Sequence, residues 1–403
     1  MKIVCIGGGP AGLYFALLAR RADPRHDVTV YERNGPDDTF GWGVVFSDET
    51  LSTLAQADPV SHQRIVGEFA YWSDIDILVA DRQVRSSGHG FCGLSRRRLL
   101  DILQQRCRDL GVELVFQREV DEDAAEDADL VLVADGVGSR IRERHAGHFQ
   151  PRIEWGRCRF AWLGTDRRLE AFTFIFKPTP AGLFQVHAYP FDSQTSTFIV
   201  ECREETWRRA GLDQADEAQT LEQMSELFRE ELRGHRLLGN RSIWRSFPTV
   251  HNERWAHGRL VLAGDAAHTA HFSIGSGTKL ALEDAIALAQ ALERHGRDVA
   301  SLAADYERER RPIVARTQRA ARTSLEWFES SARYLDQPPL QFAFNLLSRS
   351  QRITWDNLAR RDPRLVRQVG QAFAAANPAR DARPGVPPYA RGVAEEAPRS
   401  DEA

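Results

Sequence analysis

The sequence predicts an α/β fold in which a Rossmann-like parallel sheet, an inserted antiparallel β-sheet layer and a set of C-terminal helices share one chain. Three observations predict it. Lys2 to Ile6 is a short apolar run that leads into Gly7-Gly8-Gly9-Pro10-Ala11-Gly12 and then into the helical spacing of Leu13 to Arg21. Between Arg157 and Cys202 the pattern turns β-rich, and antiparallel strands set between segments of a parallel sheet imply a separate binding layer. Late in the chain, the buried-strand run Arg259 to Ala263 opens into a glycine-rich loop, Gly264 to Lys279. That loop enters the helix formers of Leu280 to Leu288.

At 403 residues the chain is long enough for one large or two intimate domains, and 42% hydrophobic with 27% charged content is that of a globular protein, not a disordered one. A net charge of −4 gives no reason to expect nucleic acid or an anionic membrane surface as partner. The five cysteines are scattered, odd in number and without a Cys-x-x-Cys pair, which argues against a disulfide framework or a zinc site, so no metal is expected. The chain runs from Met1 straight into a strand and holds no apolar run of membrane-spanning length; a cytoplasmic protein is expected.

Taken in order, the first strand and helix are followed by Asp27 to Tyr31, a second strand that ends at Glu32, twenty residues after Gly12. This completes the βαβ fingerprint of a dinucleotide site: Gly7 permits the tight turn, Gly9 lets a pyrophosphate approach, Gly12 allows close helix–strand packing, and Glu32 is placed for ribose hydroxyls. Phe40 to Ser47, with Gly41 and Gly43 around Trp42, reads as a loop returning over the nucleotide. Tyr71 to Val84 reads as strands of a second, antiparallel sheet. Ser95 to Arg108 is an amphipathic helix whose opening Arg96, Arg97 and Arg98 oppose the helix dipole, which suggests an anionic neighbour, a solvated face being the commoner cause of such a run. Val112 to Phe116 and Asp129 to Ala134 return to the first sheet, the latter ending in Asp135-Gly136-Val137-Gly138-Ser139-Arg140-Ile141-Arg142.

The inserted layer is expected as a meander of Phe160 to Gly164, Ala171 to Phe176, Gly182 to Tyr189 and Thr195 to Glu201, then a helix over Thr220 to Leu232 and a strand near Ser242 to Thr249. Beyond Asp284 the chain reads as mostly helical to about Arg361, with the aromatics of Ser324 to Phe328 and Leu340 to Leu347 belonging to a core or an interface. From Ala376 onward, five prolines among alanines and charges predict a flexible tail.

Three separated motifs now converge. Gly7 to Gly12 with Glu32, the Asp135-Gly136-x-x-Ser139-x-x-Arg142 run, and Gly264-Asp265-Ala266-Ala267-His268 together resemble the single-component, FAD-dependent aromatic hydroxylases, the class A flavoprotein monooxygenases. An NAD-dependent dehydrogenase would share only the first motif. A flavin halogenase would carry a Trp-x-Trp-x-Ile-Pro signature that is absent, and a non-catalytic FAD-binding protein would need a degraded flavin loop.

The resemblance implies non-covalent FAD, NAD(P)H as a transient reductant, O2 as co-substrate, and ring hydroxylation through a C4a-hydroperoxyflavin. By the same resemblance Gly7, Gly9, Pro10, Ala11, Gly12, Glu32 and Arg33 attend the ADP half of FAD, and Gly43 and Val44 cover the cofactor. Arg96 approaches its phosphates (Arg97 if the register shifts by one), Asp135 serves FAD and NAD(P)H, and Gly264 with Asp265 meets the ribityl or pyrophosphate region. Gly275, Gly277, Thr278 and Lys279 would lie along the isoalloxazine, whose N1–C2=O edge gains negative charge on reduction and is stabilised by a helix N-terminus. The expected division is residues 1–70, 90–150 and 250–300 for the FAD-binding domain, 71–89 and 151–249 for the substrate-binding β-sheet domain, 301–375 for the C-terminal helical region and 376–403 for the tail.

His271-Phe272 stand where many relatives have a proline pair, and Lys279 where many have Asn. With Gly41 to Val45 and His271 to Gly275, they resemble a narrower branch that includes salicylyl-CoA 5-hydroxylase, the monooxygenase half of 2-aminobenzoyl-CoA monooxygenase/reductase and an indole-ring hydroxylase. Gly275 to Ala281 and Ser324 to Phe328 lean toward the members acting on aromatic CoA thioesters. The chain has no second, reductase-like domain, so a stand-alone hydroxylase converting salicylyl-CoA to gentisyl-CoA is expected, as monomer or homodimer. A 2-aminobenzoyl-CoA or an indole- or tryptophan-type substrate is the alternative. A general base near the substrate phenol would strengthen the ring as donor. His271 is the first candidate and His187 the second, each weighed against a purely structural role. His268 is expected to shape the loop, and Lys279 either sits near the flavin or caps the loop. Arg311, Arg316 and Arg319 are the candidates for the CoA phosphates.

Overall fold

The computed structural model describes residues 1–46, 48–79 and 81–376. Ser47, Ala80 and residues 377–403, which hold nearly all of the expected tail, lie outside the described residues. A six-stranded sheet runs in the order Ala256–His257, Leu260–Leu262, Leu130–Val133, Lys2–Ile6, Asp27–Tyr31, Glu113–Val115. All its pairings are parallel except that of Ala256–His257 with Leu260–Leu262. Parallel neighbours need crossovers, and helices on both faces explain why Leu130–Val133 is buried at every position and reads as an unbroken apolar run. From Lys2–Ile6 the chain builds outward to Asp27–Tyr31 and later to the opposite side at Leu130–Val133. The turn after Ile6 therefore opens at the point where strand order reverses, which is where open α/β sheets form their crevice.

Helix Pro10–Ala22 packs against helices Arg96–Asp109 and Gly277–His295, burying Leu13, Tyr14, Phe15 and Leu17. Close approach is paid for in glycine. A Cβ on Gly12 would fall 2.0 Å from the Gly7 carbonyl oxygen, and one on Gly7 would fall 2.2 Å from the Ala134 oxygen. Gly9 has no atom within 4 Å of such a position; the space before it is open.

The second layer is an eight-stranded sheet ordered Leu237–Leu238, Pro151–Thr165, Ser196–Arg203, Gly182–Pro190, Phe172–Thr179, Ile75–Val79, Arg82–Ser86, with Arg245–Asn252 paired to Pro151–Thr165. The last three strands before Glu204 form the expected meander, but Pro151–Thr165 does not lie beside Phe172–Thr179. It crosses to the far side and pairs with Ser196–Arg203. The sheet is mixed, since Ile75–Val79 joins Phe172–Thr179 in parallel. Alternation sorts its side chains: Phe174 and Phe176 enter a core with Trp327, Phe328, Phe342 and Leu346, while Ile175 enters the opposite core with Phe198, Met224 and Phe228. The late aromatics are thus core. The helix expected over Thr220 to Leu232 is two, Glu217–Leu227 and Arg229–Leu232.

A third, three-stranded sheet joins Gly43–Phe46, Phe91–Ser95 and Ala70–Trp72. The expectation of a loop over Phe40 to Ser47 is corrected at Gly43–Phe46 by this pairing. Four residues are too few to show strand periodicity, and their partner strand lies some fifty residues away.

The packing at Gly12 is testable. Gly12→Ala drives a methyl into backbone and is expected to lower unfolding stability by more than about 3 kcal/mol, whereas Gly9→Ala changes it by less than about 1 kcal/mol. Urea denaturation midpoints check both, and equal midpoints for the two variants would refute the steric account.

Candidate active site

A cavity of about 650 Å³ lies between the loops after the parallel strands and one face of the eight-stranded sheet. Its sheet-side wall carries Phe160, Trp162, Phe174, Phe272 and His187, and its loop-side wall carries most of the residues that the motifs singled out. Gly9, Pro10, Ala11, Gly43, Val44, Arg96, Gly264, Asp265, Gly275, Gly277 and Thr278 all line it. An adjoining hollow of about 90 Å³ is lined by Gly8, Gly9, Glu32, Asn34 and Arg96. Gly7, Gly12, Arg33, Asp135, Lys279 and His271 line neither. Arg33 is exposed, 3.9 Å from Glu119, and Lys279 lies 3.5 Å from Glu283 on its own helix.

Two helices begin at this cavity without a side-chain cap. Gly9 caps Pro10–Ala22, and Ser276 caps Gly277–His295, with no side-chain hydrogen bond at either N-terminus. Uncapped first turns hold backbone N–H groups and the positive end of the helix dipole ready for an anion or an electron-rich edge. Glu32 accepts from the Gly8 N–H at 2.8 Å and from the Asn34 backbone and side-chain N–H groups at 2.8 and 2.7 Å, which fixes the turn after the first strand. Arg96 is partly buried, and burial lowers its pKa; Asp265, across from it, opposes that shift. Arg97 instead is exposed and paired with Asp37 at 2.8 Å, so the cavity-facing arginine is the first of the three. Asp265 opens to the cavity but is otherwise enclosed; burial raises its carboxyl, with Arg96 partly offsetting. Asp135 has an Oδ1 buried without a partner, and burial raises its carboxyl too. An open Gly9 and two uncapped helix ends at the cavity are what a bound dinucleotide would satisfy, so the residues fit FAD.

The loop from Gly264 to Ser276 is held from outside. Asp284 is fully buried and accepts from the Gly264 N–H at 3.0 Å and from Arg310 Nε at 2.9 Å, with His268 Nε2 at 2.7 Å. Burial alone would raise its carboxyl, but His268 and Arg310 outweigh that and hold it below the usual range. The loop's carbonyls are tied back as well. Ala266 O takes Arg142 Nη1 at 3.2 Å, Ala267 O takes Asn252 Nδ2 at 2.5 Å, Thr269 O takes Gln318 Nε2 at 2.9 Å and Ser273 O takes Arg349 Nη2 at 2.7 Å. Arg142, the last residue of the middle motif, is itself buried and also donates to Val137 O, linking two motifs directly.

The two candidate histidines meet at a residue that the sequence reading missed. Glu201 is buried in the strand Ser196–Arg203; its Oε2 lies 2.9 Å from His187 Nε2 and its Oε1 3.8 Å from His271 Nε2. His187 lines the cavity and its Nδ1 has no partner. His271 is buried behind Phe272 and its Nδ1 is occupied by Ser273 Oγ at 2.9 Å, so the first-ranked candidate is the one set back from the cavity. Burial pushes the Glu201 carboxyl up, lowers His271 to about 4 and holds His187 well below 6.5. The signal for Glu201 was present in Ser-Thr-Phe-Ile-Val-Glu-Cys-Arg: an acid inside an apolar strand is costly unless it has partners.

Arg311, Arg316 and Arg319 do not line the cavity; Arg311 lies 3.7 Å from Glu307 and 3.9 Å from Glu253. All five cysteines are buried and none is joined in a disulfide. His145, His148 and His257 come within 4.8 Å of one another, but His148 and His257 stack at 3.6 Å, which does not aim two lone pairs at one point. No described helix is long and apolar enough to cross a membrane.

Removing the buried anchor gives a direct check. Asp284→Asn is expected to cost about 3–5 kcal/mol at neutral pH, because it leaves Arg310 buried beside a neutral group. A carboxyl with a depressed native pKa stabilises above its unfolded value of about 4 and loses that contribution as pH falls, so the gap between wild type and variant should narrow below about pH 4. Denaturant titrations at pH 7 and below pH 4 test this; a gap below about 1 kcal/mol at pH 7 would contradict it.

The family described as the FAD binding domain matches residues 1–321. The chain is 45% identical over 380 residues to a salicyloyl-CoA 5-hydroxylase of a Streptomyces species, covering 92% of this chain and 73% of that protein. It is 38% identical over 359 residues to a 3-hydroxy-4-methyl-anthranilyl-[aryl-carrier protein] 5-monooxygenase of Streptosporangium sibiricum, covering 89% and 97%. Among solved structures, a 2-methyl-3-hydroxypyridine-5-carboxylic acid oxygenase superposes with a TM-score of 0.67 at 20% identity over 89% of this chain and 98% of that one, a likeness of fold. The chain belongs to the FAD-binding-domain family and is a flavoprotein monooxygenase.

Proposed function

We propose that the chain hydroxylates the ring of an aromatic acyl-CoA, with 5-hydroxylation of salicylyl-CoA to gentisyl-CoA as its reaction. The observation that carries the reading is one cavity joining uncapped helix ends and motif loops to an aromatic chamber lined by a buried histidine whose Nδ1 has no hydrogen-bond partner. It is supported by the 45% identity to a salicyloyl-CoA 5-hydroxylase. Bound FAD, reduced by NAD(P)H, supplies the oxygen activation, one atom of O2 entering the ring and the other leaving as water.

The chain's own groups have separate tasks. The N–H groups at the start of Pro10–Ala22 and the Arg96 guanidinium would hold the pyrophosphate, with Glu32 at the adenosine ribose and Asp265 at the ribityl or pyrophosphate region, while Asp135 would act from behind the lining residues Ala134 and Gly136. Gly275 to Thr278, at the start of Gly277–His295, present backbone N–H groups to the ring edge that becomes negative, while Gly43 and Val44 close over it. Phe160, Trp162, Phe174 and Phe272 bracket the substrate ring and exclude water.

We assign the base to His187 and not to His271. With the Nε2 proton held by Glu201, Nδ1 is the accepting nitrogen, and the 2-hydroxyl of a salicylyl ring would donate to it. Moving that proton to Nδ1 leaves electron density on the phenolate oxygen, para to C5, where the new bond forms. Glu201 keeps the tautomer and orientation, as a carboxylate behind a catalytic imidazole does. A 2-amino ring is the second reading, favoured by the 38% identity to an anthranilyl-carrier-protein monooxygenase.

An NAD(P)H-oxidation screen against salicylyl-CoA, 2-aminobenzoyl-CoA, free salicylate and tryptophan, with product identification, tests the reading. Stimulation and gentisyl-CoA formation with the first are expected; response to the free acid or tryptophan alone overturns it. His187→Gln is expected to lower kcat about 10²- to 10⁴-fold while the protein stays yellow. Because burial keeps His187 neutral well below 6.5, the wild type should show no acid limb near that pH from this group, and activity should fall only as pH drops further.

A further inference from the structure

The cavity is lopsided in charge. Six arginines line it (Arg96, Arg241, Arg245, Arg349, Arg352 and Arg361) against one carboxylate, Asp265. Elsewhere many arginines are matched to acids, as in Arg85–Asp76, Arg106–Asp58 and Arg310–Asp284, while others, such as Arg20 and Arg259, donate to backbone carbonyls. Of the six, Arg241 has Asp38 at 3.3 Å and Arg96 faces Asp265. Arg349 is spent on structure: it donates to Ser324 Oγ at 2.9 Å, Leu346 O at 2.8 Å and Ser273 O at 2.7 Å, and it lies over the rings of Phe174 and Phe328.

Three remain. Arg352 donates to Thr317 Oγ1 at 3.2 Å and Arg361 to the His89 carbonyl at 3.4 Å, both neutral acceptors. Arg245 has no carboxylate partner among the described residues. All three are exposed and yet line the cavity, which places them at its mouth, whereas His187 and Phe174 are buried inside. They come from two separate parts of the chain, the strand Arg245–Asn252 and the stretch from Arg352 to the end of helix Trp355–Arg361. Unpaired guanidiniums at the mouth of a low-dielectric cavity focus positive potential outward and bind phosphate oxygens through paired N–H groups.

We propose that Arg245, Arg352 and Arg361 form the subsite for the phosphates of a coenzyme A thioester, the 3′-phosphate and the diphosphate, while the aryl group reaches the chamber around His187. The inference rests on the acyl-thioester reading above. It replaces Arg311, Arg316 and Arg319, which stand away from the cavity. The same phosphorylated-adenosine chemistry occurs in NAD(P)H, and the experiment separates the two sources.

Steady-state kinetics on the FAD-loaded enzyme use a ladder of 2-hydroxybenzoyl thioesters: of CoA, dephospho-CoA, 4′-phosphopantetheine and pantetheine. In the wild type KM should rise down the ladder, with the pantetheine ester about 1000-fold above the CoA ester, roughly tenfold for each of the three phosphates lost. In the triple variant Arg245→Gln/Arg352→Gln/Arg361→Gln that ratio should collapse toward one, with retained flavin absorbance showing that the protein is folded. The KM for NAD(P)H should be the same in both.

A wild-type ratio near one overturns the subsite, as does an NAD(P)H KM that rises while the thioester ratio stays. Turnover of the ester only when carried on a carrier protein overturns the commitment to coenzyme A. Turnover of free salicylate with none of the esters overturns the thioester reading itself, a result distinct from failure of the subsite.

Discussion

A single buried carboxylate sets the geometry on which the candidate active site depends. Asp284 sits in the helix Gly277–His295 with no exposure, and an ion there is tolerable only with close partners. Its partners are the Gly264 N–H, His268 and Arg310, drawn from the loop after the last parallel strand and from the long helix Val299–Glu329. Three segments are thereby locked to one arrangement. The loop's carbonyls at Ala266, Ala267, Thr269 and Ser273 are then taken by Arg142, Asn252, Gln318 and Arg349. The loop is rigid because its acceptors are bound by side chains behind it, and the helix that follows starts uncapped at the cavity. That division supports the proposed role of Gly275 to Thr278.

The two walls of the cavity are built by different physics. Backbone makes the loop side, since Gly12 and Gly7 allow the helix to ride against the sheet and Gly9 leaves space before it. Side chains make the sheet side, where Phe160, Phe247, Phe272 and His271 contact one another through their rings. Into this apolar wall the chain inserts Glu201 between two histidines, all three buried. Such a cluster is costly to keep in a low-dielectric interior; burial keeps the two histidines neutral and raises the Glu201 carboxyl, with His271 opposing that rise. A group held neutral beside an unmet ring nitrogen suits a proton acceptor better than a structural strut.

Charge is distributed to match. Inside, the arginine nearest the aromatic chamber, Arg349, is consumed by hydrogen bonds and ring contacts, and burial lowers its pKa to about 9. At the mouth, arginines stay exposed and unmatched. The interior is therefore suited to a neutral ring and the rim to an anionic handle, a polarity that fits a thioester better than a free aromatic acid, whose carboxylate would need a cation beside the ring.

What the sequence determined by itself was the set of local signals: glycines at Gly7, Gly9 and Gly12 where only backbone space will serve, the acid at the end of the second strand, and strand–loop–helix order at Gly264 to Lys279. These depend on residues within a few turns of one another, so spacing reveals them. Tertiary structure decided the rest. Gly43–Phe46 became a strand because Phe91–Ser95 lies beside it, and Pro151–Thr165 crossed the sheet to pair with Ser196–Arg203. His187 and not His271 reached the cavity, Glu201 joined them, and Arg245, Arg352 and Arg361 came to line the cavity while Arg311, Arg316 and Arg319 did not. None of these could be read from spacing, because in an arginine-rich chain with many histidines and acids, one-dimensional order does not say which charges meet. Only the packing of two sheets face to loop does.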